Sequence, residues 1–436
     1  MELQVSKNIN RITWTISDKS LFLLYGFVNL VQIRYLGQIG AAEYSFFILT
    51  NAFIMTIADS FALESIVQYK SRPDIIPKAN LYSFISLYLI IALCSLILII
   101  FGNILGQLFK IENFVQIALY IIALSFAISY RYIGQKYMVR EFKFNYVFYS
   151  DLIFFGSLTI LSLYYIISKH FLTFPIMANI YIFSAIISSL LSLILTLQYL
   201  RFSFKGNLTR REFFNFGGPM TINGILTSIP KYLDIYIIKL FFPMATVGVY
   251  SSAKTLFRLF DEGANAVYGF IYPTYVKYIG LKDYENVRKI LIKSSSFVFL
   301  CSIIVIIPME LGLTKWLINL FLSEKFINAI PQFNLIVLAG IAFPMFVQSF
   351  ALISAGNLRY IFKTLFISNV ALIISLVIVG FLKIDLLIPI GLVVFYFTTG
   401  LMYYFKLNKD YDYKLRYLFQ SIPDSINFVK SLVRQK

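Results

Sequence analysis

The sequence predicts an all-α integral membrane protein of about twelve transmembrane helices, arranged as two six-helix lobes around a central cavity. Three observations lead there. Of 436 residues, 59% are hydrophobic and only 14% charged, where ordinary soluble domains are about a quarter charged. Apolar runs of about twenty residues recur from end to end, each long enough to cross ~30 Å of hydrocarbon as a helix. Short strands of alternating polarity, which a membrane barrel requires, are not the pattern here.

The apolar runs place spans near 12–33, 42–64, 80–107, 114–132, 146–168 and 173–199, then near 214–240, 245–274, 291–317, 328–354, 361–382 and 386–405. Residues 1–199 form the expected N-terminal lobe, 200–213 an inter-lobe linker, 214–405 the C-terminal lobe and 406–436 a basic tail. In that tail Leu415, Leu418, Phe419, Ile422, Ile426, Val429 and Val433 recur at helix-like spacing, as in an interfacial helix. Loops on one side carry most of the Lys and Arg, including Lys70, Arg72, Arg131, Lys136, Arg140, Arg201, Lys205, Arg210, Arg211, Lys277, Lys282 and Arg288. Opposite loops offer Arg34, Lys110, Lys169, Lys315, Lys325 and Lys383. The positive-inside rule therefore predicts both termini in the cytoplasm.

The same distribution explains the net charge of +17: the bases orient helices rather than bind nucleic acid. Cys94 and Cys301 lie inside apolar runs, which argues against a disulfide or a metal site, and His170 is the only histidine. Asp18 and Lys19 interrupt the first apolar run, so it reads as a retained helix rather than a signal peptide. No Walker-type phosphate loop occurs, which argues against direct ATP hydrolysis.

Two stretches repeat. IRYLGQIGAAEYSFFILTNAF (33–53) and IKLFFPMATVGVYSSAKTLF (238–257) each run from a basic residue, Arg34 or Lys239, through a turn to Tyr-Ser opening the next span. They fall at the first-to-second and the seventh-to-eighth span, as a parallel repeat with the substrate cavity between its halves would require. With FGGPM (216–220) opening span seven and AGNLRYIFK (355–363) joining spans ten and eleven, the chain resembles the polysaccharide flippases of the multidrug/oligosaccharidyl-lipid/polysaccharide exporter superfamily. Its nearest members by this resemblance are the O-antigen and capsule repeat-unit, Wzx-type flippases. The resemblance implies passage of undecaprenyl-pyrophosphate-linked oligosaccharides from the inner to the outer leaflet of a bacterial cell membrane. It also implies partnership with a polymerase and chain-length-control proteins, and no enzymatic step.

The candidate site residues are the charges that a bilayer makes expensive. A charge at its centre costs roughly 2.5–3.5 kcal/mol on the most forgiving scale, yet VGVYSSAKTLFRLFDEG (247–263) holds four. Tyr250, Lys254, Arg258, Asp261 and Glu262 fall in one stripe of span eight, since residues three or four apart share a helix face. Lys254 and Arg258 suit a pyrophosphate or acidic sugar, and an arginine fork matches phosphate oxygens. Asp261 and Glu262 would tune them or hold a coupling cation, H+ or Na+. Local neutralisation of Arg258 by Asp261 or Glu262 between packed helices is the plainer reading. In span seven Lys231 and Asp234 lie three apart below Thr227, between helix-interrupting Pro219 and Pro230; Pro344 plays the same part in span ten. In the first lobe Lys19 is a cavity-facing candidate, and Asp18 and Asp59 are coupling candidates. For Asp59 the sequence offers no local partner, and Asp151 reads as interfacial.

Two other functions stand against this one. A multidrug/cation antiporter on the same scaffold needs an acidic, aromatic site, whereas the stripe carries two strong bases. A membrane enzyme, such as a polysaccharide polymerase, ligase or glycosyltransferase, needs an extended extramembrane loop or a catalytic carboxylate cluster beside the membrane, and the outer loops here are too short to hold a catalytic domain. Cysteine labelling from outside should reach positions beside Lys169 and Lys383 and miss positions beside Lys205 and Lys282; the reverse pattern would overturn the predicted orientation.

Overall fold

The computed structural model describes residues 2–169, 171–417 and 423, without the side chains of 2–12, 71, 262–270 and 273. His170, the side chain of Glu262 and most of the expected tail (418–422 and 424–436) lie outside the described residues. Every regular element among those described is helical. We label the longer ones α1 (Glu2–Ala58), α2 (Ile76–Phe109), α3 (Phe114–Arg140), α4 (Phe144–Lys169), α5 (Phe174–Thr196), α6 (Arg210–Ser228) and α7 (Asp234–Phe241). There follow α8 (Met244–Gly280), α9 (Tyr284–Pro308), α10 (Thr314–Phe321), α11 (Ala329–Val337), α12 (Leu358–Leu382) and α13 (Ile390–Tyr411).

The chain is a multi-pass membrane protein. Nine helical segments among the described residues are long and apolar enough to cross a bilayer. The first, Thr13–Gln68, holds both expected spans one and two, folded over at Gly37, whose φ of 69° favours glycine. Expected spans seven (α6 and α7) and eight (α8) are absent from the nine. Both are helical, but their charged and polar residues keep them below membrane apolarity. The all-α architecture thus agrees with twelve crossings.

Three five-residue π-turns interrupt the helices, at Asp59–Leu63, Ile229–Leu233 and Met309–Leu313. Pro230 lies inside the second and Pro308 just precedes the third, as expected where proline removes an i→i−4 bond. Pro219 sits inside α6 without ending it. Pro344 opens a four-residue helix, Phe343–Phe346, after a 3-10 stretch, so the tenth span is broken there.

The chain divides into two compact units, Met1–Gly248 and Val249–Lys436. The boundary lies downstream of the 200–213 linker because α6 and α7 pack within the first unit. A Cβ on Gly217 would meet the Phe61 carbonyl oxygen at 2.5 Å, and one on Gly224 would meet Ser60 Oγ at 2.4 Å. The FGGPM glycine is therefore a contact surface for the π-turn of α1. The linker is docked as well: Ser203 N–H donates to the Pro77 carbonyl (3.2 Å) and Lys78 Nζ to that of Gly206 (3.0 Å). Leu208 completes an apolar cluster with Tyr69, Ile75, Ala79 and Phe213.

Small polar residues knit the rest of unit one, as membrane helix interfaces favour. Ser150 of α4 bonds Ser192 of α5 at 2.8 Å, and a Cβ on Gly134 of α3 would meet Ser192 Cβ at 2.8 Å. In the second unit Gln348 is the hub. Its Nε2 donates to Ser295 Oγ (2.6 Å) and Ser294 Oγ (3.1 Å), and its Oε1 accepts from the Tyr275 hydroxyl (2.5 Å). Beyond α13 the Tyr413 hydroxyl donates to Ser295 Oγ at 2.7 Å and is fully buried. The tail at Tyr413 is thus packed into unit two rather than lying free.

Gly224→Val should destabilise the first unit by about 1–3 kcal/mol, the usual range for overpacking. Ser60 and the π-turn must retreat to admit the side chain. The thermal midpoint of the purified protein measures it, with Gly156→Val, where nothing lies within 4 Å, as the neutral comparison.

Candidate functional site

In the first unit the charges gather on α3. This helix runs to Arg140, eight residues past its expected end at 132, so bases assigned to a cytoplasmic loop stand on a helix face. Arg131 pairs with Asp151 of α4 at 2.5 Å, their side chains 8% and 12% exposed. Gln135, one turn on, donates to the same Asp151 oxygen at 2.5 Å. The Arg131 guanidinium also lies 4.4 Å over the Phe154 ring. Asp18 of α1 approaches the Asp151 carboxylate, and its Oδ1 is buried without a hydrogen-bond partner among the described residues. Lys19 is exposed and makes no ion pair with Asp18 among the described residues, since neighbours i and i+1 do not face one another, although its charge still acts on that carboxyl.

Asp59 opens the first π-turn and, against expectation, has a partner. Lys136 Nζ holds Asp59 Oδ2 at 2.9 Å and Glu64 Oε1 at 2.7 Å. The other Asp59 oxygen is buried without a hydrogen bond among the described residues. Tyr132, between Arg131 and Lys136 in sequence, feels the charges of Arg131, Asp59 and Asp151 and the nearby Tyr232, so the two clusters adjoin. Four carboxyl groups (Asp18, Asp59, Glu64, Asp151) face three cations, Arg131 and Lys136 in ion pairs and Lys19 acting on Asp18 from an exposed position. A site with surplus acid and buried, unsatisfied oxygens can take up a cation or a proton.

Other expected residues are placed as follows. Lys231, in the second π-turn, is exposed, whereas Asp234 is fully buried at the start of α7. Both belong to the first unit. The stripe on α8 belongs to the second unit. Tyr250 is fully buried and Lys254 is 6% exposed, its ammonium 5.8 Å from the Tyr250 ring centre. Arg258 is half-buried and forms no ion pair among the described residues. The expected Arg258–Asp261 bridge is therefore absent; Asp261 Oδ1 instead accepts from the Tyr396 hydroxyl of α13 at 3.3 Å. A half-buried guanidinium without a carboxylate is suited to an external anion.

The other face of α8 lines an apolar cavity of ≈ 270 Å³, with Phe257 and Phe260 against Val298 and Cys301 of α9 and Gly340 and Phe343. Ligand pockets start at about 300 Å³, so this one would take a hydrocarbon segment rather than a whole ligand. The two repeated turns also touch. A Cβ on Gly248 would run into the Gln38 carbonyl oxygen, which leaves no room for any side chain. Tyr44 of the first repeat donates to Asn29 (2.9 Å) and to Tyr181 (3.1 Å), whose hydroxyl in turn meets Tyr25 (3.0 Å).

Sequence reasoning missed Glu64, Arg131, Gln135, Lys136 and Asp151. A usable signal was present: Arg131, Gln135 and Lys136 repeat at helical spacing, with no Pro and the single Gly134 between Arg131 and Arg140.

A family profile described as "Polysaccharide biosynthesis protein" matches residues 49–331. No curated protein matches the sequence. Among solved structures, an inward-facing multidrug resistance MATE family transporter of the MOP superfamily is similar at TM-score 0.76 and 13% identity, covering 90% of this chain and 94% of that one. The lipid II flippase MurJ, in an inward closed conformation, is similar at TM-score 0.74 and 13% identity, covering 98% and 93%. A MOP superfamily transporter from Pyrococcus furiosus is similar at TM-score 0.62 and 14% identity, covering 92% and 95%. These likenesses concern the fold.

Arg131→Ala should cost about 3–5 kcal/mol, because it strands the buried Asp151 charge. Arg131→Gln combined with Asp151→Asn should recover most of that loss. The check is a double-mutant cycle in thermal midpoint, with a coupling near zero contradicting the pairing.

Proposed function

Because the chain belongs to the polysaccharide biosynthesis protein family, we propose that it is a flippase for lipid-linked oligosaccharides. It moves undecaprenyl-pyrophosphate-linked repeat units from the inner to the outer leaflet of the bacterial cytoplasmic membrane, for O-antigen, capsule or another surface polysaccharide. Both termini face the cytoplasm. Two six-helix lobes rock about a central cavity, and uptake of H+ or Na+ drives the cycle. The chain acts as a carrier rather than an enzyme, alongside a polymerase and chain-length-control proteins of the same pathway.

The observation that carries this reading is Arg258, a half-buried guanidinium with no ion pair among the described residues, one turn from the buried Lys254. The pair supplies positive charge for a pyrophosphate or acidic sugar in surroundings where a charged hydrogen bond is worth roughly 1.5–3 kcal/mol. Asp18 and Asp59, with the carboxyl-rich clusters around them, are the coupling candidates in unit one. Lys19, Lys231 and Tyr250 would contact substrate, and Asp234, Asp261 and Glu262 would tune the field.

One observation favours a second reading. Four carboxyl groups against three cations in unit one would also serve a multidrug/cation antiporter. Energy-dependent uptake of cationic dyes into inverted vesicles separates the two.

Arg258→Ala should slow export roughly ten- to a hundred-fold, if a charged hydrogen bond is lost in the rate-limiting state. Arg258→Lys should restore part of it, since a point charge cannot reproduce the planar fork. Surface polysaccharide per molecule of inserted protein is the measurement. Phe260 lines the apolar cavity and is no neutral control; Leu311→Ala, at a site 82% exposed, is the better one. Wild-type export by a well-inserted Lys254→Ala/Arg258→Ala variant would sink this assignment.

A further inference from the structure

Where α2 and α7 end, the first unit carries two lysines that neither charge cluster uses. Phe109, the last residue of α2, packs edge-on against Tyr236 of α7 at 5.1 Å, and the Tyr236 hydroxyl bonds to Thr50 of α1. Lys110 follows Phe109 directly and Lys239 follows Tyr236 by one turn. The ring contact therefore brings the two lysines together, and Lys110 is the charge that acts on Lys239. Lys239 is 5% exposed; Lys110 is exposed. Among the described residues no carboxylate pairs with either lysine. The nearby Glu43 is engaged by Asn113.

Two like charges held side by side, one of them covered, repel and lose hydration. An anion shared between them reverses the sign of the interaction. Phosphate esters present oxygens in several directions, which suits two ammonium groups without the planar geometry an arginine demands. This end of the bundle lies opposite the basic loops, outside the cytoplasm in the orientation proposed above.

We propose that Lys110 and Lys239 form a phosphate-binding station that receives the diphosphate headgroup of a lipid-linked substrate as it leaves for the outer leaflet. The inference rests on the flippase reading and adds to it a second anion site, separate from Lys254 and Arg258.

The test titrates inorganic pyrophosphate calorimetrically into the purified full-length protein, in detergent and then in phosphatidylcholine nanodiscs. Lys110→Gln/Lys239→Gln should weaken one binding event about ten-fold or more. Lys254→Ala/Arg258→Ala should leave that event intact, and Lys239→Arg should retain it. Removing a like-charge pair does not threaten folding, so an unchanged or raised thermal midpoint in the glutamine variant confirms its integrity. Pyrophosphate binding unchanged in the glutamine variant overturns the station; normal export by the wild type would then leave the flippase reading standing. Loss of the event when phosphatidylglycerol replaces phosphatidylcholine would assign the site to ordinary anionic lipid and overturn the substrate assignment. Slower export by the glutamine variant, with its Lys254 and Arg258 untouched, is the result expected in cells.

Discussion

The fold depends on one constraint, that an ionised group inside a bilayer must find a partner within the protein or face a wet cavity. Arg131 and Asp151 meet it most completely, with Gln135 on the same carboxylate and Phe154 beneath the guanidinium. Because this pair joins α3 to α4, and Lys136 joins α3 to the π-turn of α1, the charged residues fix how the first helices sit. An apolar bundle would have many near-equivalent packings in lipid, where no hydrophobic force draws helices together. Ion pairs and serine contacts select among them.

The π-turns show the same economy of means. At Asp59–Leu63 the backbone widens where Ser60 and Phe61 press against Gly224 and Gly217, and the same turn delivers Asp59 to Lys136. One local irregularity thus sets both a helix contact and the position of a carboxylate. The second, at Ile229–Leu233, holds Lys231. Departures from regular helix coincide with charge, as is common at functional sites.

Much of the architecture was legible because the bilayer imposes so simple a rule on sequence. Apolar runs located the spans, and Gly37 and the prolines marked several of the folds and breaks. The stripe from Tyr250 to Asp261 followed from helical spacing alone. What sequence could not give was pairing across helices. Asp59 looks solitary because Lys136 is 77 residues away. Asp151 looked interfacial because its partner Arg131 had been read as a topology signal in a loop. The same rule that assigns bases to the cytoplasmic side conceals those that continue a helix. Gly217, read as part of a family motif, proved to be where another backbone approaches too closely for a side chain.

The Gln348 hub has a consequence for how the chain is made. Ser295 belongs to α9 and Gln348 to the broken tenth span, yet the hydroxyl that completes their network comes from Tyr413, beyond α13. Helices are delivered to the membrane in order as the ribosome moves along the message. Through three further membrane segments, then, Ser295 waits with its set of partners incomplete. The second unit cannot reach its final packing until the residues around 413 have left the ribosome. Closure of that network is a late event, and a chain truncated just after α13 would be fully threaded but would lack the Tyr413 hydroxyl that completes it.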